Sequence, residues 1–238
     1  MHMISSLRNR IARIPGNRSG GFTLLEISFV IAIFAIMGSI VLFRFKDFGT
    51  QATLDNLTQD IALRIVEAQK AAIAGAGNIN VTALGIAPNY GVYFTPSTTP
   101  SGANKQFVYF TDTSTTSART YNGDACTSTP TAGRQCISVT SITSGDYVSN
   151  VCYNTGGGSL SYPCLTSGSV HVSFTRPFPD ATMKVCPTVA PCSGTPTTAK
   201  SVYIEVTSGA NAALKRTIIV TGLGQVRVYR GPVTTAHP

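Results

Sequence analysis

Residues 20–42 read GGFTLLEISFVIAIFAIMGSIVL, an apolar run that carries one carboxylate, Glu26, near its start. Between Phe22 and Leu42 the only other polar side chains are Thr23, Ser28 and Ser39. At 1.5 Å per residue the run spans roughly 31 Å as a helix, the thickness of one bilayer core. A carboxylate in such a helix costs about 2.5–3.5 kcal/mol on insertion scales. Residues of this kind usually have a partner. No cation on the helix can serve, because Arg44 lies 18 residues further along. The run therefore predicts a membrane-crossing helix whose acid is met by another chain.

Upstream, Arg8, Arg10, Arg13 and Arg18 precede Gly21 and no acid does. A basic run before an apolar helix reads as a cytoplasmic flank. A secretory signal would have a shorter apolar core, with its small-residue cleavage site after the core. Here Gly20 and Gly21 come first, which predicts cleavage on the cytoplasmic side with the helix retained. Translation could begin at Met1 or at Met3. The chain of 238 residues has a formal charge of +8, but without residues 1–21 it keeps 14 Lys and Arg against 10 acids. Half of the net charge thus belongs to the leader, and bulk charge is a weak argument for nucleic acid.

Downstream, no proline interrupts the chain between Pro15 and Pro88. Leu54, Leu57, Ile61, Ile65, Ala68 and Ala72 recur at helical spacing, an amphipathic stripe. Asp60 and Arg64 stand four apart in the acid-first order that supports a helix. Gly75-Ala76-Gly77 is a stop signal. The spacing predicts one helix from Phe22 to Ala74, apolar all round in its first half and one-sided in its second.

Beyond Gly77 the period changes to two. Tyr90–Thr95, Gln106–Thr111, Val170–Thr175, Ser201–Thr207, Lys215–Thr221 and Gln225–Tyr229 read as strands, the last three as an antiparallel meander. Within them, alternation makes most of Tyr90, Tyr93, Phe94, Phe107, Tyr109 and Phe110 core. Residues from about Thr111 to Lys200 are rich in Ser, Thr, Gly and Pro and contain all six cysteines, so long loops with short strands are expected there. No Cys-x-x-Cys occurs, which argues against a zinc clip, and the distribution suggests an oxidising compartment with structural disulfides. The simplest pairs are Cys126–Cys136, Cys152–Cys164 and Cys186–Cys192, each worth about 2–4 kcal/mol. Other connectivities stay open.

Gly21-Phe22-Thr23-Leu24-Leu25-Glu26, with a basic leader before it and an apolar helix after it, resembles the class III signal of type IV prepilins and type II secretion pseudopilins. The motif covers about a tenth of the chain. The resemblance implies that a prepilin peptidase cuts after Gly21 and N-methylates Phe22. It also implies that Glu26, the fifth mature residue, pairs with the Phe22 amine of a neighbouring subunit. A broader resemblance joins Ser173-Phe174-Thr175-Arg176-Pro177 and Gly222-Leu223-Gly224-Gln225-Val226-Arg227 to the GspH/FimT type of minor pilin. Two departures stand out. Phe43 occupies the place where major pilins often have a proline, and Gln225 replaces the first arginine of the Gly-Arg-x-Arg piece found in DNA-uptake relatives.

Duplex binding would rest on Lys215, Arg216, Arg227 and Arg230, with Tyr229 as a stacking surface. The competing reading is a solvated strand face, since Arg227 alternates with Val226 and Val228. Catalysis has little support: His2, His171 and His237 are the only histidines, and none sits in a Ser/His/Asp or Cys/His pattern. His171 reads as a surface or satisfied strand residue. Asp112, Asp124 and Asp146 are too dispersed for a calcium loop, and no metal or cofactor is implied.

The expected fold is α+β and pilin-like: a long N-terminal helix, transmembrane in its first half, packed on an antiparallel sheet head with disulfide-stapled loops. Residues 1–21 form a cleaved leader, 22–42 the membrane and filament-core helix, 43–77 its amphipathic half, and 78–238 the head. The expected function is structural, a minor pilin or pseudopilin rather than an enzyme. Its partners would be other pilin subunits, the prepilin peptidase, an inner-membrane assembly platform and membrane lipid before assembly. It would start as a single-pass membrane protein and end in a periplasmic or surface filament. The alternatives are a DNA-binding minor pilin, a major pilin and, ranked last, a simple anchored surface protein.

Overall fold

The computed structural model describes residues 21–75, 89–112, 119–126, 134–156 and 162–233, the side chains of 43–47 excepted. The leader arginines, Gly20, Ala76, Gly77, His2, His237 and the side chains of Phe43 and Arg44 lie outside the described residues. The chain forms two compact units, Met1–Phe45 and Lys46–Pro238. One helix, α1 (Leu24–Ala74), contributes to both.

In the first unit, every residue from Gly21 to Leu42 is exposed. The second unit begins with the amphipathic part of α1. Leu54, Ile61, Ile65, Ala68 and Ala72 of the stripe are fully buried, whereas Leu57 is only partly so. Thr58 is buried with them, its hydroxyl donating to the Leu54 carbonyl at 2.5 Å. That internal bond is what allows a polar side chain on the core face. Arg64 does not pair with Asp60. Its Nη1 instead lies 2.8 Å from Glu67 Oε2, one turn on in the other direction. Gly75 ends the helix with φ +63°, and the Arg176 guanidinium lies against it, where a Cβ would clash and where a cation suits the helix dipole.

Eleven strands follow among the described residues: β1 (Asn89–Phe94), β2 (Gln106–Asp112), β3 (Cys136–Ser141), β4 (Tyr147–Asn154), β5 (Cys164–Leu165), β6 (Ser169–Phe174), β7 (Ala181–Cys186), β8 (Thr197–Ala199), β9 (Ser201–Thr207), β10 (Lys215–Thr221) and β11 (Val226–Arg230). They form a six-stranded sheet in the order β3-β2-β1-β6-β7-β8 and a five-stranded sheet in the order β11-β10-β9-β4-β5. Every pairing is antiparallel. The helix stripe, one face of each sheet and their aromatic residues make a single apolar cluster. Together with three disulfides, Cys126–Cys136, Cys152–Cys164 and Cys186–Cys192, this is an α+β, pilin-like arrangement.

The six-stranded sheet is covered on its outer face too. Tyr93, Val108 and Phe110 pack there against Tyr121 and the Cys126–Cys136 disulfide. His171 packs against the rings of Tyr93 and Phe110 and is fully buried, so of the two readings, surface or satisfied strand residue, the second holds. Its Nδ1 accepts the Tyr121 N–H at 2.9 Å, and its Nε2 lies 3.3 Å from the Ser169 hydroxyl. Because that hydroxyl already donates to the Thr188 carbonyl, Nε2 carries the proton and donates to it. Burial lowers the His171 pKa to about 3, so the ring is neutral.

Candidate functional site: the N-terminal helix

Thr23 starts α1. Its hydroxyl accepts the Glu26 N–H at 3.3 Å, and its carbonyl accepts the N–H groups of Glu26 and Ile27 at 3.1 and 3.2 Å. Thr-x-x-Glu is the pattern of a capping box, in which the acid would reach back to the first backbone N–H. Thr23 makes its half of that exchange, a capping signal carried by the sequence pattern but not among the expectations drawn from it. Glu26 does not make the other half.

The other hydroxyls of the run are satisfied within the helix. Ser28 donates to the Leu25 carbonyl at 2.7 Å and Ser39 to the Ile36 carbonyl at 2.8 Å. Among the described residues, no donor or cation meets the Glu26 carboxylate. The stretch Leu24–Leu42 is long and apolar enough to cross a membrane, and none of it is buried. Phe22 and Leu24 are 77% and 87% exposed. The site is thus a lipid-ready helix with every polar side chain satisfied internally except one acid.

The four candidate DNA-contacting cations do not form one free face. Lys215 Nζ lies 2.9 Å from Glu205 Oε1. Arg216 is only 7% exposed, and its Nε lies 2.5 Å from Asp55 Oδ1. Arg230 reaches the other oxygen of Asp55 at 3.5 Å. Arg227 is exposed and donates to the Gln225 side chain at 3.2 Å. Lys215 and Arg216 are sequence neighbours on one strand, so they point to opposite faces of the sheet.

A family model described as the prokaryotic N-terminal methylation motif matches residues 16–42. No curated protein and no solved structure matches the chain. The matched segment contains Gly21, Phe22 and Glu26. It supports a type IV pilin-like structural subunit, one that is processed by a prepilin peptidase and interacts with other pilin subunits. The motif and the apolar helix are consistent with membrane anchoring before assembly.

Proposed function

We propose that this chain is a minor subunit, GspH/FimT-like, of a type IV pilus or type II secretion filament. The peptidase removes residues 1–21 and methylates Phe22, and residues 22–42 then hold the protein in the membrane until assembly. Glu26 pairs with the Phe22 amine of a neighbour and sets the axial register as the helix leaves lipid for the filament core. The head, from the amphipathic part of α1 onward, lies in the periplasm or at the cell surface.

One observation carries this reading: among the described residues, Glu26 is the sole polar side chain of the apolar run left without a partner, although Thr23, Ser28 and Ser39 all have one. Lipid tails are as apolar as the helix, so burial alone gives little reason to leave the membrane. Packing and a polar contact must supply the specificity. The minor role is favoured by the three disulfide-held loops, which would crowd a dense lattice if every subunit carried them. Duplex binding loses support because Lys215, Arg216 and Arg230 are already engaged by acids.

The test uses protein purified from its native envelope. A mature chain beginning at N-methylated Phe22, with Glu26→Ala inserted in the membrane but absent from sheared filaments, is the expected result. A chain that keeps its leader, or a Glu26→Ala variant that enters filaments normally, would overturn the proposal.

A further inference from the structure

On the outer face of the five-stranded sheet, a groove of about 720 Å³ opens between the β4–β5 hairpin and the Gly222–Gly224 turn. Its aromatic wall is Tyr162, packed edge-to-face on the buried Tyr203 with ring centroids 5.0 Å apart. The wall is held in place covalently. The Cys152–Cys164 disulfide ties β5 to β4, and the Pro163 carbonyl accepts the Tyr153 N–H at 3.0 Å, so Tyr162 is fastened from the residues that follow it.

Lys200 and Arg227, both exposed, supply positive charge, and no acid is among the described lining residues. Lys200 reaches the site by crossing Gly156. A Cβ on that glycine would stand 2.5 Å from Lys200 Cδ and Nζ, so a larger residue there would push the lysine stem aside. Asn154, Ser201 and Thr221 add short side chains that both donate and accept hydrogen bonds. The groove therefore joins a ring face, two cations and several two-way hydrogen-bonding groups.

We propose that this groove binds a carboxylate-bearing saccharide, one uronate unit of an acidic polysaccharide. The electropositive C–H face of a sugar ring suits the negative face of Tyr162. Its hydroxyls suit the amide and hydroxyl groups, and Lys200 and Arg227 meet its carboxylate by charge-assisted hydrogen bonds. A nucleic-acid strand fits less well. Single strands bind along a charged track with successive stacking platforms. Here Tyr162 lies over Tyr203 and leaves a single platform, while Lys215, Arg216 and Arg230 are paired elsewhere with acids. The inference is independent of filament assembly, because one subunit holds the whole groove.

The experiment is calorimetric titration of the full chain in micelles of a sugar-free polyoxyethylene detergent. The probes are tetragalacturonate, its methyl ester, a thymidine oligonucleotide and oligoglutamate. Tetragalacturonate should bind, with the ester at least about tenfold weaker, as expected for loss of a charge-assisted contact. Tyr162→Leu should lose binding, and Arg227→Gln and Lys200→Gln should each weaken it about tenfold. Both cations are exposed, so those two variants test the site without risk to the fold. Absence of tetragalacturonate binding, equal binding of the ester, tighter binding of the oligonucleotide or oligoglutamate, or wild-type affinity in both cation variants would overturn the proposal.

Discussion

Asp55 on α1 and Arg216 on β10, 161 residues apart in sequence, meet with Nε 2.5 Å from Oδ1. Arg216 stands opposite Arg230 across the β10–β11 ladder, and Asp55 lies against both. Two arginines placed opposite each other repel. The helix carboxylate turns that repulsion into a link between α1 and the sheet edge.

Replacing Asp55 with Asn should therefore destabilise the head by about 1–3 kcal/mol. A broken buried pair leaves an uncompensated charge, but Asp55 is itself partly open to water. Urea unfolding of the full chain in micelles measures this, as a lower midpoint at an unchanged slope. Asp55→Leu combined with Arg216→Leu should lose less than Asp55→Leu alone. The idea fails if the double variant is the less stable of the two.

His171 predicts acid sensitivity. Its folded pKa, lowered by burial to about 3, lies below the ordinary value of 6.5. The unfolded chain therefore takes up this proton first. The group's contribution is complete above pH 6.5 and declines as pH falls toward 3, by roughly 1.4 kcal/mol per pH unit. His171→Gln, which can still accept the Tyr121 N–H, should flatten the stability profile between pH 6 and about pH 4.5. An unchanged slope in that variant would assign the sensitivity to another group.

Glu205 acts in a lower window. Burial pushes its pKa up, but the Lys215 ammonium, the Val233 N–H and the Ser149 hydroxyl together hold it below the ordinary value of 4.5. Its contribution is present above pH 4.5 and is lost as pH falls through the depressed folded value. Glu205→Gln should remove that lower part of the acid transition and lower stability at neutral pH, since Lys215 then lacks its counter-charge. Unfolding midpoints measured at pH 3, 4 and 7 check it, and a transition of wild-type shape would refute the assignment.

Much of the fold was legible in the residues. β9 and β10 have the bounds read from alternation, and β1, β2, β6 and β11 differ by a residue at one or both ends. β4 was not legible, although it is an interior strand, paired on both sides. Its Ser149 and Asn150 break the apolar alternation, and the ladder to β9 shifts register there. Both side chains are satisfied by Glu205, which arrives from a strand 55 residues away. Alternation also understated the aromatic core. Tyr93 and Phe110 face away from the main cluster and are buried by the Tyr121 segment, which carries no periodic signal of its own.

The apolar run, its lone acid, the amphipathic stripe and the wide placement of cysteines were set by the sequence itself, because each depends on residue type at short spacing along one chain. Which cations are free, which histidine is dry and where Tyr162 stands were decided only by tertiary structure. Charges and rings acquire their roles from neighbours, and here those neighbours come from distant strands. Lys215 and Arg216 look identical to Lys200 and Arg227 in a string of letters. Folding brings an acid to the first two and leaves the second two in a groove with no acid among its described lining residues.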